Sequence, residues 1–109
     1  EEWADPEREK LRETYLIILD KLSLHFMSKE DYPQSIWLCK RMLEKDCCLE
    51  EIHRRLMYCF HQMGNRDKAI RQFHKCQKAL FTELEMQPGN QTLGLLNEIR
   101  GRVVRTARK

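Results

Sequence analysis

Glycine and proline are nearly missing from this chain: there are four Gly and three Pro in 109 residues. With so few chain breakers, and with β-branched residues few and scattered, a turn-rich sheet protein is excluded and helices are favoured. No apolar run approaches the ~20 residues of a membrane span, and no secretory signal is visible. A disulfide framework is missing too. The five cysteines, Cys39, Cys47, Cys48, Cys59 and Cys76, are odd in number and follow no framework spacing. Reduced thiols in a cytoplasmic protein are therefore expected. A strong excess of one charge is also absent. A net charge of +3 excludes a polyanion binder by bulk composition alone. At this length a single domain spans 1–109, large enough for a core but too small for a spacious catalytic cavity.

What is present is a repeat. KEDYPQSIWLCKRMLE, from Lys29 to Glu44, reads as a tight turn and an amphipathic helix. GNRDKAIRQFHKCQKA, from Gly64 onward, reads the same way at an offset of 34 residues. At that offset Asp31 falls on Asn65, Ser35 on Ala69, Ile36 on Ile70, Cys39 on Phe73 and Met42 on Cys76. The preceding helices keep the offset, with Ile18 on Ile52, Leu22 on Leu56 and Phe26 on Phe60. A helix–turn–helix unit recurring about every 34 residues is the signature of a tetratricopeptide (TPR) array.

In chain order, Asp5 can cap a first helix, Pro6 fits its first position, and Glu7 and Glu9 suit the positive end of its dipole. Leu11, Tyr15, Ile18, Leu19, Leu22 and Phe26, spaced three and four apart, predict its buried stripe, ending near Met27. Trp3 is expected packed or at an interface. Asp31 caps the second helix, with Pro33 in its first turn and Ile36, Cys39, Met42 and Leu43 inward. The third helix starts at Glu50–Glu51, buries Ile52, Leu56, Cys59, Phe60 and Met63, and stops at Gly64. Asn65 caps the fourth, which carries Ala69, Ile70, Phe73, Cys76, Leu80 and Leu84. After the break at Met86–Asn90, a fifth helix over roughly 91–104 presents Leu93, Leu96, Ile99 and Val103 on one side. It is the natural cap for the open core face. The expected core covers 3–104, and the basic tail 105–109 should fray.

Three stretches taken together, WADPEREKLRETY, DYPQSIWLCKRMLEKD and EEIHRRLMYCFHQMGNRDKAIRQFHKCQKALFTELEMQP, resemble the bacterial transcriptional activator domain. That is the TPR-like module following the winged-helix DNA-binding domain in SARP-type (antibiotic regulatory protein) activators and related regulators. The resemblance runs from about Trp3 to Arg100, most specifically in the Trp-Ala-x-Pro opening, Glu50–Met57 and Ala69–Pro88. It departs where Cys47 replaces a usual Pro, where Leu49 replaces a polar cap, and near Glu85, where a Gly is usual. The resemblance implies an all-α, TPR-like superhelix of two repeats with a C-terminal capping helix. It also implies a DNA-reading domain before Glu1, so that DNA is met only indirectly. The implied partners are that winged-helix domain, a second copy in a homodimer, or RNA polymerase, with no membrane.

Catalytic and metal chemistry find little support. No Cys-x-x-Cys occurs; Cys47 and Cys48 would point apart on a regular element; His53 and His61 lie about 80° apart around a helix. His74 and Cys76 point to different faces, and Cys76 belongs to the buried stripe. No metal, no cofactor and no catalytic residue is therefore assigned, and the chain reads as a non-enzyme.

Three surfaces remain. Arg71, Lys75 and Lys78, with Arg66 and Lys68 near the helix start, form a basic stripe that could touch DNA phosphates; a solvated face is the plainer reading. The concave face of a TPR-like array is lined by the first helix of each pair. Periodicity places Ile17, Asp20, Leu24 and Met27 there, with Glu51, Arg54, Tyr58, His61 and Gln62. Tyr58, Arg54 and His61 would make an aromatic and cationic patch suited to a peptide or domain. Trp37 and Leu38 correspond to polar Arg71 and Gln72, so two large apolar residues are expected on an outer face. Another domain or subunit would cover them, or else the segment bearing Trp3. The reading is a non-catalytic regulatory and interaction module of a bacterial transcriptional activator. A TPR adaptor binding peptides outside transcription is the alternative, and a helical accessory domain of an enzyme is a weaker third.

Overall fold

The computed structural model describes residues 5–101. Among them all regular structure is helical: α1 (Asp5–Ser28), α2 (Tyr32–Lys45), α3 (Glu50–Gln62), α4 (Arg66–Leu84) and α5 (Asn90–Arg100). The expectations for Trp3, Val103 and the tail lie outside the described residues. Helices α1 and α2 form one antiparallel pair, α3 and α4 the next; α2 packs on α3, and α5 lies on α3 and α4.

The two turns within the pairs are built alike. Asp31 N–H donates to the Phe26 carbonyl at 2.8 Å, and Asn65 N–H donates to the Phe60 carbonyl at 2.8 Å. Glu30 N–H reaches Met27 at 2.9 Å, and Gly64 N–H reaches His61 at 3.0 Å. Each turn needs one left-handed residue: Gly64 at φ 78° and, 34 positions earlier, Glu30 at φ 62°. Glu85 takes φ 54° at the end of α4. Asp31 caps α2 through Oδ1, which accepts from Gln34 N–H at 3.4 Å. Asn65 holds the cap position of α4 without a side-chain hydrogen bond, and Leu49 likewise at α3. Helix α5 ends at Gly101, φ 77°, before the expected 104.

The core joins Leu19, Ile36, Leu38, Cys39, Met42, Ile52, Leu56, Met57, Cys59, Phe60, Ala69 and Phe73 to Leu96 and Ile99 of α5. Helix α1 differs from expectation. Leu19 is buried and Phe26 half-buried, but Leu11 is 68% exposed, Ile18 52%, Leu22 41% and Tyr15 38%. The inward face is instead Leu16, Leu19, Ser23, Phe26 and Met27. Both stripes fit helical spacing, because apolar side chains leave α1 on more than one side. The stripe containing Ser23 turns inward because a buried cation of α3 binds it, as described below. Leu93 of α5 also faces solvent, while Thr92 is fully buried.

The matched turns carry a test. A non-glycine residue held left-handed costs about 1–2 kcal/mol, partly offset by its stiffer unfolded chain. Glu30→Gly should therefore raise stability by about 0.5–1 kcal/mol in urea unfolding. Gly64→Ala meets no atom within 4 Å but must keep φ 78°, and should lower stability. Shifts of the same sign would show that the turns are not equivalent.

Candidate partner-binding surfaces

The surfaces take their geometry from one buried cation. The Arg55 side chain is 5% exposed. Its Nη1 donates to Asp20 Oδ1 and to Ser23 Oγ, both at 2.7 Å, and its Nη2 approaches Glu51 Oε2 at 3.4 Å. Ser23 Oγ in turn donates to the Asp20 carbonyl at 2.9 Å, and Ser35 Oγ of α2 donates to the Ser23 carbonyl at 2.9 Å. A guanidinium removed from water needs such partners. Three helices are thereby fixed at one point, and α1 is set in its observed rotation.

With α1 held so, a depression of about 310 Å³ opens across α1, α3 and α5. Leu24, Met27, Arg54, Tyr58 and Leu95 line it beside Glu51 and Arg55. Of the residues expected in the groove, Met27, Arg54 and Tyr58 come together with Leu24. Asp20 is occupied by Arg55 and borders a separate hollow with Ile17. His61 and Gln62 are exposed but do not line the depression. Tyr58 stands edge-on to Tyr32, ring centroids 6.2 Å apart.

The α5 wall is pinned from α3. Glu50 Oε2 accepts from Gly89 N–H at 2.7 Å and from the Thr92 hydroxyl, and Arg54 Nη1 donates to Thr92 Oγ1 at 3.1 Å. Burial opposes the Glu50 charge, but the Thr92 and Gly89 hydrogen bonds, with Arg54 beside them, outweigh it and hold the carboxyl below its usual range. Arg54 is thus partly engaged in the fold. Neither this tether nor the role of Leu95 was anticipated from sequence. The acidic start of α3 was the visible signal.

The outer pair is corrected by half. Trp37 is 55% exposed, with the Arg41 guanidinium 5.0 Å from its ring. Leu38 belongs to the core at 6%. Helix α2 packs between α1 and α3, so its buried arc is wide enough to include Ser35, Ile36, Leu38, Cys39 and Met42. Trp37, Arg41 and Lys45 follow one another at one-turn intervals, and Lys45 Nζ lies 5.6 Å from the Tyr15 ring. This side of α2 therefore borders the exposed apolar side of α1. On the other pair, Arg71 and Lys75 line a furrow between α2 and α4 together with Lys40 and Lys68. Lys78 is exposed one turn further along α4.

All five cysteines are free. Cys39, Cys59 and Cys76 are core residues, and burial pushes the thiols of Cys39 and Cys76 up to about 11. Cys47 and Cys48 lie in a turn instead of a regular element, with their sulfurs 4.0 Å apart. Among the described residues no three His, Cys, Asp or Glu gather as a metal site would require. His53 is buried: its Nε2–H donates to the Cys47 carbonyl and its Nδ1 accepts from Gln72 Nε2, each at 2.8 Å.

Paired helices at a constant period, a concave face lined by α1, α3 and α5, and a closing fifth helix define a TPR-like helical repeat domain. The model of the bacterial transcriptional activator domain family matches residues 1–100, and the chain belongs to that family. No curated protein and no solved structure matches it. The family places the chain among the regulatory domains of transcriptional activators. No helix among the described residues is long and apolar enough to cross a membrane.

The His53 bridge makes the α2–α3–α4 junction sensitive to pH. Burial, with Lys75 nearby, pushes the imidazole below its ordinary value, although the Cys47 carbonyl and Glu50 pull the other way. A folded value below the unfolded ~6.5 means that the neutral ring's contribution is complete above that pH. It is lost as pH falls from there through the depressed folded value. The stability difference between the native chain and His53→Gln should therefore narrow from about pH 7 to about pH 5 in urea unfolding. A constant difference would show that His53 is not held neutral.

Proposed function

We propose that this chain is the non-catalytic association module of a cytoplasmic, DNA-binding transcriptional activator. It docks on the winged-helix domain of the same polypeptide through the outer side of α1. One observation carries this reading. From Leu11 onward helix α1 carries apolar side chains on more than one side, yet its partners within the domain cover only one. A soluble helix normally keeps a polar side toward water, and a contiguous apolar face marks a contact. Leu11, Tyr15, Ile18 and Leu22 form that face, and Trp37 with its stacked Arg41 borders it.

A second reading uses the concave side. Leu24, Met27, Tyr58 and Leu95 offer apolar contacts there, with Arg54 supplying a charge. In that reading the groove takes a peptide or an RNA polymerase segment, as a TPR adaptor would.

In an activator carrying both domains, Ile18→Asp with Leu22→Asp should separate the DNA-binding domain, seen as two melting transitions in place of one. Because both side chains are exposed, the isolated chain should change by less than about 1 kcal/mol. Trp37→Ala should have a smaller effect of the same kind. Intact coupling in the double variant would overturn the assignment. So would a loss of several kcal/mol in the isolated chain. A face that instead drives homodimer formation would show as dissociation in sedimentation with coupling unchanged, and that also contradicts docking in cis.

A further inference from the structure

We propose that the furrow between α2 and α4 seats the sugar–phosphate backbone of duplex DNA and makes non-specific phosphate contacts. This rests on the activator reading only for the presence of a duplex nearby, not on the α1 docking face. The charge of the chain is segregated. Helices α2 and α4 carry Lys40, Arg41, Lys45, Arg66, Lys68, Arg71, Lys75 and Lys78 against Glu44, Asp67 and Glu83. Together they exceed the net +3 of the whole chain, while α1, α3 and α5 are neutral or acidic in sum. Bulk charge hid this, because a net charge says nothing of where the cations lie.

The furrow gathers Lys40 from α2 and Lys68, Arg71 and Lys75 from α4, and no carboxylate lines it. None of these four, nor Lys78, forms an ion pair among the described residues. Nearby Glu44 is held by Arg41 at 3.1 Å, and Asp67, one turn before Arg71, lies outside the furrow.

The chemistry favours a nucleic acid over an acidic protein. The floor is Phe60, 7% exposed and overlain by Lys40 Nζ at 5.9 Å, together with buried Gln72. No exposed aromatic or aliphatic anchor of the kind that dominates protein interfaces is available there. Exposed ammonium and guanidinium groups without an apolar anchor suit a ligand whose binding comes from counterion release. Lys68 to Lys78 spans about 15 Å of helix, equivalent to about four phosphates at 3.4 Å along one strand. The furrow's walls are helix sides bearing long cations and no amide or short polar side chain aimed outward for base edges. Contacts to phosphate position a duplex and do not read it.

The test uses the 109-residue chain and a fluorescein-labelled duplex of mixed sequence, about 20 base pairs long, followed by anisotropy from roughly 20 to 200 mM salt. Binding should be indifferent to sequence, and log K should fall against log salt with a slope near −4. Arg71→Glu with Lys75→Glu should weaken binding at least ~10-fold at low salt and flatten the slope by about two. Lys10→Glu with Lys21→Glu changes the net charge equally on α1 and should leave binding within about twofold. Circular dichroism checks each fold. If the reversal unfolds the chain, Lys75→Gln with Lys78→Gln takes its place, with the same expected loss of slope. No binding at the lowest salt would overturn the proposal, and so would equal loss from the α1 variant. Competition by poly-glutamate as effective as unlabelled duplex at equal charge would assign the furrow to an acidic protein, and would likewise overturn it.

Discussion

A buried guanidinium sets the arrangement of this domain. Arg55 lies inside the junction of α1, α2 and α3, where an unpaired charge would be prohibitively unfavourable. It can stay only if Ser23 faces inward and Asp20 reaches it from the rim, and Ser35 ties α2 to the same site through the Ser23 carbonyl. The rotation of α1 follows from that requirement. So does the exposure of Leu11, Tyr15, Ile18 and Leu22, since a helix cannot present Ser23 and Leu22 to the same neighbour. An apolar outer face is thus a consequence of satisfying a buried polar group, and it is available to a partner.

The same architecture divides the molecule by chemistry. The first helices of the pairs line a concave face with mixed apolar and paired charged groups, where Glu50 and Arg54 are occupied in holding α5. The second helices turn most of the unpaired cations outward. Their exposed arc runs from the cationic furrow at Lys40 to Trp37 and Lys45 beside α1. A domain docked on the apolar face and a polyanion seated in the furrow would be neighbours along α2.

The repeat was legible in sequence because its period is written twice, in apolar positions and in turn chemistry. Gly64 marks one turn plainly. The earlier turn was read from its Asp31 cap and Pro33, but the left-handed residue within it was not, because Glu30 stands where Gly64 stands in the second repeat. The orientation of α1 was not legible: with apolar residues on more than one side, helical periodicity supports more than one inward face. The deciding residue, Arg55, reads as an ordinary surface cation until its partners on another helix are known. Leu38 was misplaced for a related reason. Its repeat mate Gln72 is polar yet buried, because His53 satisfies it, so comparing repeat positions by polarity alone pointed to the surface. Met27, Arg54 and Tyr58, which line the depression, were named from spacing, and exposed Trp37 from the comparison of repeat positions. Thr92, Leu95 and Lys40 were not, since they enter through packing between distant segments.

Native-state hydrogen exchange on Arg55→Met tests most directly whether this cation positions α1. Methionine keeps most of the buried volume and removes the charge and its hydrogen bonds. The account predicts that amides of α1 lose protection selectively, with α3, α4 and α5 close to native, because the bonds to Asp20 and Ser23 hold the first helix on the second pair. Uniform loss of protection across all five helices, or native protection throughout α1, would contradict it.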